Sequence, residues 1–247
     1  MTNQSTQERI AKFMAHAGVC SRRDAEKLID QGRVMVNGET IKTPATKVSV
    51  EDDVRVDGEK IQSQAPRVWR YYKPLGVICS HKDPQGRKTI YDMIEKKYPD
   101  MPRVSSVGRL DLNSEGVLLL TNNGEISRYM ELPSTGWVRR YKVRVHGRVQ
   151  EKDLKKLENG VTIDGIQYGA IQVTLEKQQG ANAWLMIRLK EGKNREIRKV
   201  MEWLGYKVNR LIRLSYGAFQ LGNLKENEAE EIPLKILKEQ IGKDFFK

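Results

Sequence analysis

Gly108-Arg109-Leu110-Asp111-Leu112-Asn113-Ser114-Glu115-Gly116 runs directly into Val117-Leu118-Leu119-Leu120-Thr121 and stops on Asn122-Asn123-Gly124. The second of these pieces is a short, unbroken apolar run closed by turn residues, the pattern of a strand buried on both faces. The first is polar and bounded by glycines. A polar loop held by a rigid strand is where binding and catalytic side chains concentrate. Residue chemistry alone leaves Asp111 one carboxylate among many, because a turn aspartate bonded to local backbone has the same appearance.

Outward from this segment, strand patterns dominate. Residues 68–73 and 77–80 read as strands flanking a turn at Pro74-Leu75-Gly76. In residues 141–146, alternation sets Tyr141, Val143 and Val145 on one face. Leu154 and Leu157 mark a short helix that Gly160 ends, and residues 183–190 form another strand. Asn194 is expected to cap a helix with Ile197, Val200, Met201 and Leu204 on its apolar side and Arg195, Arg198, Lys199 and Glu202 opposite; Gly205 closes it. Residues 208–214 are the last long strand and residues 233–244 a terminal helix. Strands outnumber helices and no regular helical crossovers appear. The expected class is therefore α+β with a mostly antiparallel mixed sheet.

The N-terminal region reads differently. Residues 1–6 are polar and expected to fray. Ile10, Phe13, Met14 and Ala17 recur at helical spacing, and Gly18 ends that helix. Ser21 and Asp24 have the form of a capping box ahead of Ala25, Leu28 and Ile29, and Gly32 stops the second helix. Two hairpins follow, turned at Asn37-Gly38 and Asp57-Gly58, since both turn residues tolerate positive φ. Residues 7–61 are thus a small helix-helix-sheet domain, residues 62–66 a polar, proline-ended linker, and residues 67–247 a second domain. Lys12, Arg22, Arg23, Lys27 and Arg33 lie on or beside the two helices. They suit contacts to an RNA backbone, although a solvated basic face has the same composition.

Bulk properties agree with a polyanionic partner. The 247 residues carry 44 Lys and Arg against 32 Asp and Glu, a formal charge of +12. RNA, DNA and an anionic membrane all fit that surplus. No apolar run of about 18 residues offers a membrane span. The N-terminus lacks the apolar core of a secretory signal, and Cys20 and Cys79 form no CxxC pair, so a reducing cytoplasm is the expected compartment. His16, His81 and His146 are far apart, and no metal site is expected.

Two further segments carry chemistry. In residues 190–199, Lys193, Arg195, Arg198 and Lys199 crowd the start of a helix, whose dipole favours anions. They could clamp a phosphate or carboxylate, or pair with Glu196 and Glu202. Tyr141, beside Arg139, Arg140 and Lys142, could stack a base or simply fill the core.

Together these segments resemble the pseudouridine synthase family that contains the small-subunit and large-subunit ribosomal synthases, over nearly the whole chain. Residues 7–61 look like the alpha-L RNA-binding domain of ribosomal protein S-four. Tyr72-Lys73-Pro74-Leu75-Gly76 resembles the first motif, Gly108-Arg109-Leu110-Asp111 the signature with the catalytic aspartate, and Arg140-Tyr141 the motif with the active-site tyrosine. Residues 191–198, continued by Arg210-Leu211-Ile212-Arg213, resemble the third motif, and residues 208–213 favour the large-subunit branch.

The resemblance implies an isomerase that turns a uridine of ribosomal RNA into pseudouridine without a cofactor. Asp111 would attack a flipped-out uridine, at ribose C1′ or uracil C6. Tyr141 would stack on the detached base and help remove its C5 proton. Arg198 would be the cation beside Asp111, Arg109 would fill the space left by the base, and Ile197 would support the apolar wall. Lys73, Lys193 and Arg195 would contact substrate. A monomer acting on large-subunit RNA is the first expectation. Small-subunit RNA, transfer RNA and a non-catalytic role in ribosome assembly are the alternatives. A carboxylate-dependent hydrolase would need a second acid-base carboxylate, for which the sequence suggests no position.

Overall fold

The computed structural model describes residues 7–246, so the expected fraying of residues 1–6 lies outside the described residues. The N-terminal part runs β1 (Glu8–Arg9), α1 (Ile10–His16), α2 (Arg22–Asp30), β2 (Val34–Val36), β3 (Glu39–Thr40), β4 (Lys47–Val48), β5 (Val54–Val56) and β6 (Glu59–Lys60). Ser21 caps α2, its Oγ accepting the Asp24 N–H at 3.2 Å and donating to Asp24 Oδ2 at 2.7 Å. Such a cap is worth about 1 kcal/mol. The sheet has the order β3-β2-β5-β6, and its hairpins turn at Asn37 and Asp57, both with positive φ as their sequences require. Ile10, Phe13, Met14, Ala25, Ile29, Val34 and Val54 form one buried cluster between helices and sheet. The pairing of β1 with β4 has no sequence signal, because two-residue strands carry no readable period.

The larger part continues with β7 (Val68–Lys73), α3 (Ile90–Lys97), β8 (Ser105–Ser106), β9 (Glu115–Thr121), α4 (Gly124–Glu131), β10 (Arg139–His146), α5 (Glu151–Leu154), β11 (Val161–Ile163) and β12 (Ile166–Tyr168). Then come β13 (Gln172–Gln179), β14 (Asn182–Leu189), α6 (Glu196–Trp203), β15 (Lys207–Tyr216), β16 (Phe219–Gln220), β17 (Ala229–Glu231) and α7 (Leu234–Ile241). The main sheet has the order β13-β14-β10-β15-β9-β7-β17, with β16 on β15 and β8 on β9. Its pairings are antiparallel except β15 with β9. The α+β class with a mostly antiparallel mixed sheet is therefore observed.

Every residue of β9 is buried, as its continuous apolar run demands. Two clusters sandwich it. One packs α3, α5 and α6 against β10, β14 and β15 through Ile94, Leu154, Val200, Val143, Leu185 and Leu211. The other packs α4 and α7 on the opposite side through Ile126, Met130 and Leu237.

Two local expectations need correction. Residues 77–80 do not pair as a strand with β7; apart from a single bridge from Ile78 to Thr89 they are loop. Both edges of β7 are already taken, by β9 and β17, which leaves no ladder for a third partner. The N-cap residue of α6 is Arg195, in left-handed conformation at φ 52°, and no side chain caps the helix. Asn194 is exposed, and the turn is tied instead by Glu196 Oε2 accepting the Lys193 N–H at 2.9 Å.

Candidate active site

The site forms where the two halves of the main sheet meet. There β15 runs parallel to β9, with Arg213 beside Gly116. Nothing larger than glycine fits: a Cβ on Gly116 would lie 2.3 Å from the Arg213 carbonyl oxygen and 2.7 Å from its nitrogen, at φ +108°. Residues 107–114 leave β8 and return into β9 as a loop over this junction. Its turn is closed by the Ser114 N–H donating to Asp111 O at 3.0 Å.

The loop is anchored from beneath. Lys73 Nζ donates to Ser114 O at 2.7 Å and Pro74 O at 2.9 Å, the Gly76 N–H donates to Leu112 O at 2.9 Å, and Cys79 Sγ donates to Leu110 O at 3.4 Å. Lys73 is fully buried, and that burial pushes its pKa down to about 8. The substrate contact expected of Lys73 is therefore corrected. Lys73 is an internal tie, because its ammonium is what satisfies two buried carbonyls.

A cavity of about 310 Å³ opens beside the loop. Asp111, Tyr141, Arg198, Arg109, Lys193, Arg195 and Ile197 all line it. Tyr141 and Ile197 supply apolar wall and are 7% and 5% exposed. Asp111 keeps about a third of its side chain in solvent (32%) and faces Arg195, whose Nη1 lies 3.6 Å from Asp111 Oδ2. The cation at ion-pair distance is thus Arg195. Arg198 is turned onto backbone, donating to Asn113 O at 2.5 Å and Val208 O at 3.1 Å. Burial and the neighbouring Arg195 push the Arg198 pKa down, and Asp111 pulls it up. The pairing of Arg195 expected with Glu196 is replaced by this contact to Asp111. Arg109 is exposed at the rim, with no hydrogen-bond or ion-pair partner among the described residues.

The cavity also holds residues to which the sequence assigns no role toward substrate. Glu131, Glu191 and Glu196 supply carboxylates, and Arg139 and Arg213 buried guanidiniums. Glu196 is 3% exposed, and Glu191 lies beside it, its Oε1 accepting the Gly169 N–H at 2.6 Å. Burial and the hydrogen bond to Glu191 push the Glu196 pKa up to about 8. Its charge is visible in the third motif, but its inward direction follows from the left-handed turn at Arg195, which has no composition signal.

The raised pKa makes a stability prediction. Folded protein keeps the Glu196 proton until about pH 8, whereas the unfolded chain releases it near 4.5. The contribution is therefore full below pH 4.5 and is lost as pH rises towards 8. Glu196→Gln keeps an acceptor for the Lys193 N–H and cannot ionise. Thermal unfolding across about pH 5–9 should show the variant gaining on the wild type as pH increases, and parallel curves would contradict the assignment.

A family model described as RNA pseudouridylate synthase matches residues 67–203, and an S4 domain model matches residues 8–54. The chain belongs to the RNA pseudouridylate synthase family. An uncharacterized RNA pseudouridine synthase of Rickettsia felis is 50% identical over 234 residues, covering 93% of this chain and 99% of that one. Ribosomal large subunit pseudouridine synthase B of Yersinia pestis is 37% identical over 220 residues, covering 87% and 69%. A crystal structure of a pseudouridylate synthase shares the fold, at TM-score 0.66 and 24% identity over 94% of this chain and 99% of that one. A pseudouridine synthase is an isomerase acting on RNA.

In this synthase the basic residues of the S4 domain are unequally available. Arg22 and Arg23 are exposed and have no partner among the described residues. Arg33 is held by Asp57 through bonds of 2.8 and 2.6 Å, and Lys27 by Asp24 at 3.1 Å. Lys12 pairs with Glu8 at 3.2 Å and with Glu125 of α4 at 2.5 Å, so it joins the two parts of the synthase. Among the described residues no helix is long and apolar enough to cross a membrane.

Proposed function

We propose that the chain converts a uridine of large-subunit ribosomal RNA to pseudouridine, with Asp111 as nucleophile. The observation that carries this reading is the pairing of a partly exposed Asp111 with Arg195 at 3.6 Å, at the edge of a cavity walled by Tyr141 and Ile197. A nucleophilic carboxylate must be ionised, and an adjacent guanidinium favours that form. The bond from ribose C1′ to uracil N1 breaks, a bond from C1′ to C5 forms, the C5 proton leaves and N1 gains one. Tyr141 stacks on the freed ring and Ile197 holds its other side. Nothing is oxidised or transferred, so no cofactor is needed.

A stacked uridine cannot reach this cavity and must flip out, at a cost of a few kcal/mol. Arg109, exposed at the rim, occupies the place the base leaves. Lys193 and Arg195 bind the flanking phosphates. The name of the Yersinia pestis relative supports the large-subunit target. A monomer acting in the cytoplasm is part of the same proposal. Residues 7–61 act as the RNA-binding domain, 62–66 as its linker and 67–247 as the catalytic domain.

The test is tritium release from RNA labelled at uridine C5. Release from large-subunit RNA supports the proposal. Release from small-subunit RNA or transfer RNA alone moves the target, and no release from any of them refutes the reading. Arg22 and Arg23 carry a separate prediction. The double change Arg22→Glu and Arg23→Glu should weaken RNA binding and lower the slope of log affinity against log salt by about 1–2, as read by filter binding. An unchanged slope would remove these two residues from the RNA interface.

A further inference from the structure

Arg213 is the cavity residue whose chemistry the proposed reaction leaves unused. It is 3% exposed, yet it lines the cavity. A guanidinium has five N–H donors, and here only Nε is accounted for, donating to Val117 O at 2.7 Å. Nη2 is buried without a partner. No carboxylate lies within ion-pair distance of Arg213 among the described residues. The guanidinium carbon also lies 5.2 Å from the Tyr216 ring. The second buried arginine nearby, Arg139, makes three hydrogen bonds, to Trp137 O, Lys190 O and Tyr216 Oη. A buried cation short of acceptors is costly unless something entering the cavity supplies one.

We propose that Arg213 is a specificity-determining residue that donates to the carbonyl of the flipped pyrimidine opposite the reacting bond, the C4 carbonyl of uracil. This rests on the reading of the cavity as a uridine site. The placement follows from the strand register. Arg213 lies directly across from Tyr141 in the β10–β15 pair, so the donor stands beside the stacking platform. Asp111 is at the partly exposed edge and must act at C1′ or C6, both next to N1. C4 is across the ring from N1, so its oxygen is the atom that enters deepest, towards Arg213.

The same donor serves after the bond breaks. Turning free uracil about its N3–C6 axis exchanges N1 with C5 and C2 with C4. C5 then faces C1′, and the C2 carbonyl stands where the C4 carbonyl stood. A carbonyl oxygen meets Arg213 in both orientations, which holds the detached ring while it turns. Cytosine presents an amino group at C4, a donor against a donor. A site built to hydrogen-bond one group discriminates strongly against a base that lacks it.

The test uses the full-length wild type and Arg213→Met on stem-loop RNA carrying uridine or 4-thiouridine at the target position. Sulfur is a weak acceptor. The wild type should process the 4-thio substrate with kcat/KM about 10- to 100-fold lower than uridine. In Arg213→Met that ratio should collapse towards one, whatever the variant's absolute rate. A merely structural role would slow both substrates alike and leave the ratio intact. Equal rates in the wild type would overturn the proposal without any variant, so a misfolded Arg213→Met does not shield it. In that case uridine turnover itself still stands, which separates this failure from failure of the cavity reading. No turnover of uridine would overturn both.

Discussion

Asp111→Asn should lower turnover on the order of 10⁴-fold or more while leaving RNA affinity unchanged within about twofold. The amide is nearly isosteric and keeps a carbonyl acceptor, so the loop geometry survives. The Ser114 N–H bonds to the Asp111 backbone, not its side chain, and Lys73 holds the loop through Ser114 O. What is lost is the charge that faces Arg195 and, on the proposed mechanism, the oxygen nucleophile. Binding depends on phosphate contacts elsewhere, and removing one negative charge from a basic surface does not weaken them. Single-turnover kinetics and filter binding at one salt concentration check both halves. A fall in affinity that matched the fall in rate would make Asp111 a binding residue.

Gly116→Ala should destabilise the fold by about 3–5 kcal/mol. The new Cβ would press on backbone, not on a flexible side chain: Arg213 O at 2.3 Å, Arg213 N at 2.7 Å and Arg213 C at 3.0 Å. The φ of +108° adds strain for any side chain. Relief would require β9 and β15 to separate at the single parallel pairing that joins the halves of the sheet, the floor on which the cavity is built. Gly124→Ala is the control. A methyl group added at Gly124 would meet no atom within 4 Å, and the residue opens α4, so alanine there should be neutral. Denaturant unfolding of the two variants should differ by most of the predicted amount. Equal midpoints would mean that the strand junction tolerates side chains.

Sequence and structure agree best where local chemistry decides. The turns at Asn37-Gly38 and Asp57-Gly58, the buried run of β9 and the alternation of β10 are each set by a few neighbouring residues, and each is found where expected. The elements that are not legible depend on tertiary partners. β13 alternates between exposed and half-buried positions at the edge of the sheet, so it lacks an apolar signal. α3 and α4 are eight-residue helices with few buried residues; Thr89 and Asn123 cap them, and in sequence Asn123 has the appearance of a turn residue. The 77–80 segment has strand composition, but its would-be partner is already paired on both edges.

The candidate site divides in the same way. Asp111, Tyr141, Lys193, Arg195, Ile197 and Arg198 are legible because they sit in contiguous motifs, and the fold brings them to one cavity. Lys73 belongs to such a motif and yet points into the protein, since motif membership does not reveal which face of β7 a residue occupies. Glu196 and Arg213 have ordinary charged-surface signatures in sequence. Only the left-handed turn at Arg195 and the register of β15 against β10 turn them inward.

The most direct measurement is pseudouridine mapping at single-nucleotide resolution. Unmodified ribosomal RNA of both subunits is incubated with wild type and with Asp111→Asn, and pseudouridine is located by carbodiimide adducts and primer-extension stops. One new stop in large-subunit RNA is expected with the wild type and none with Asp111→Asn. The same stop appearing with Asp111→Asn, or no stop with the wild type while binding persists, would contradict a carboxylate-driven isomerisation at this cavity.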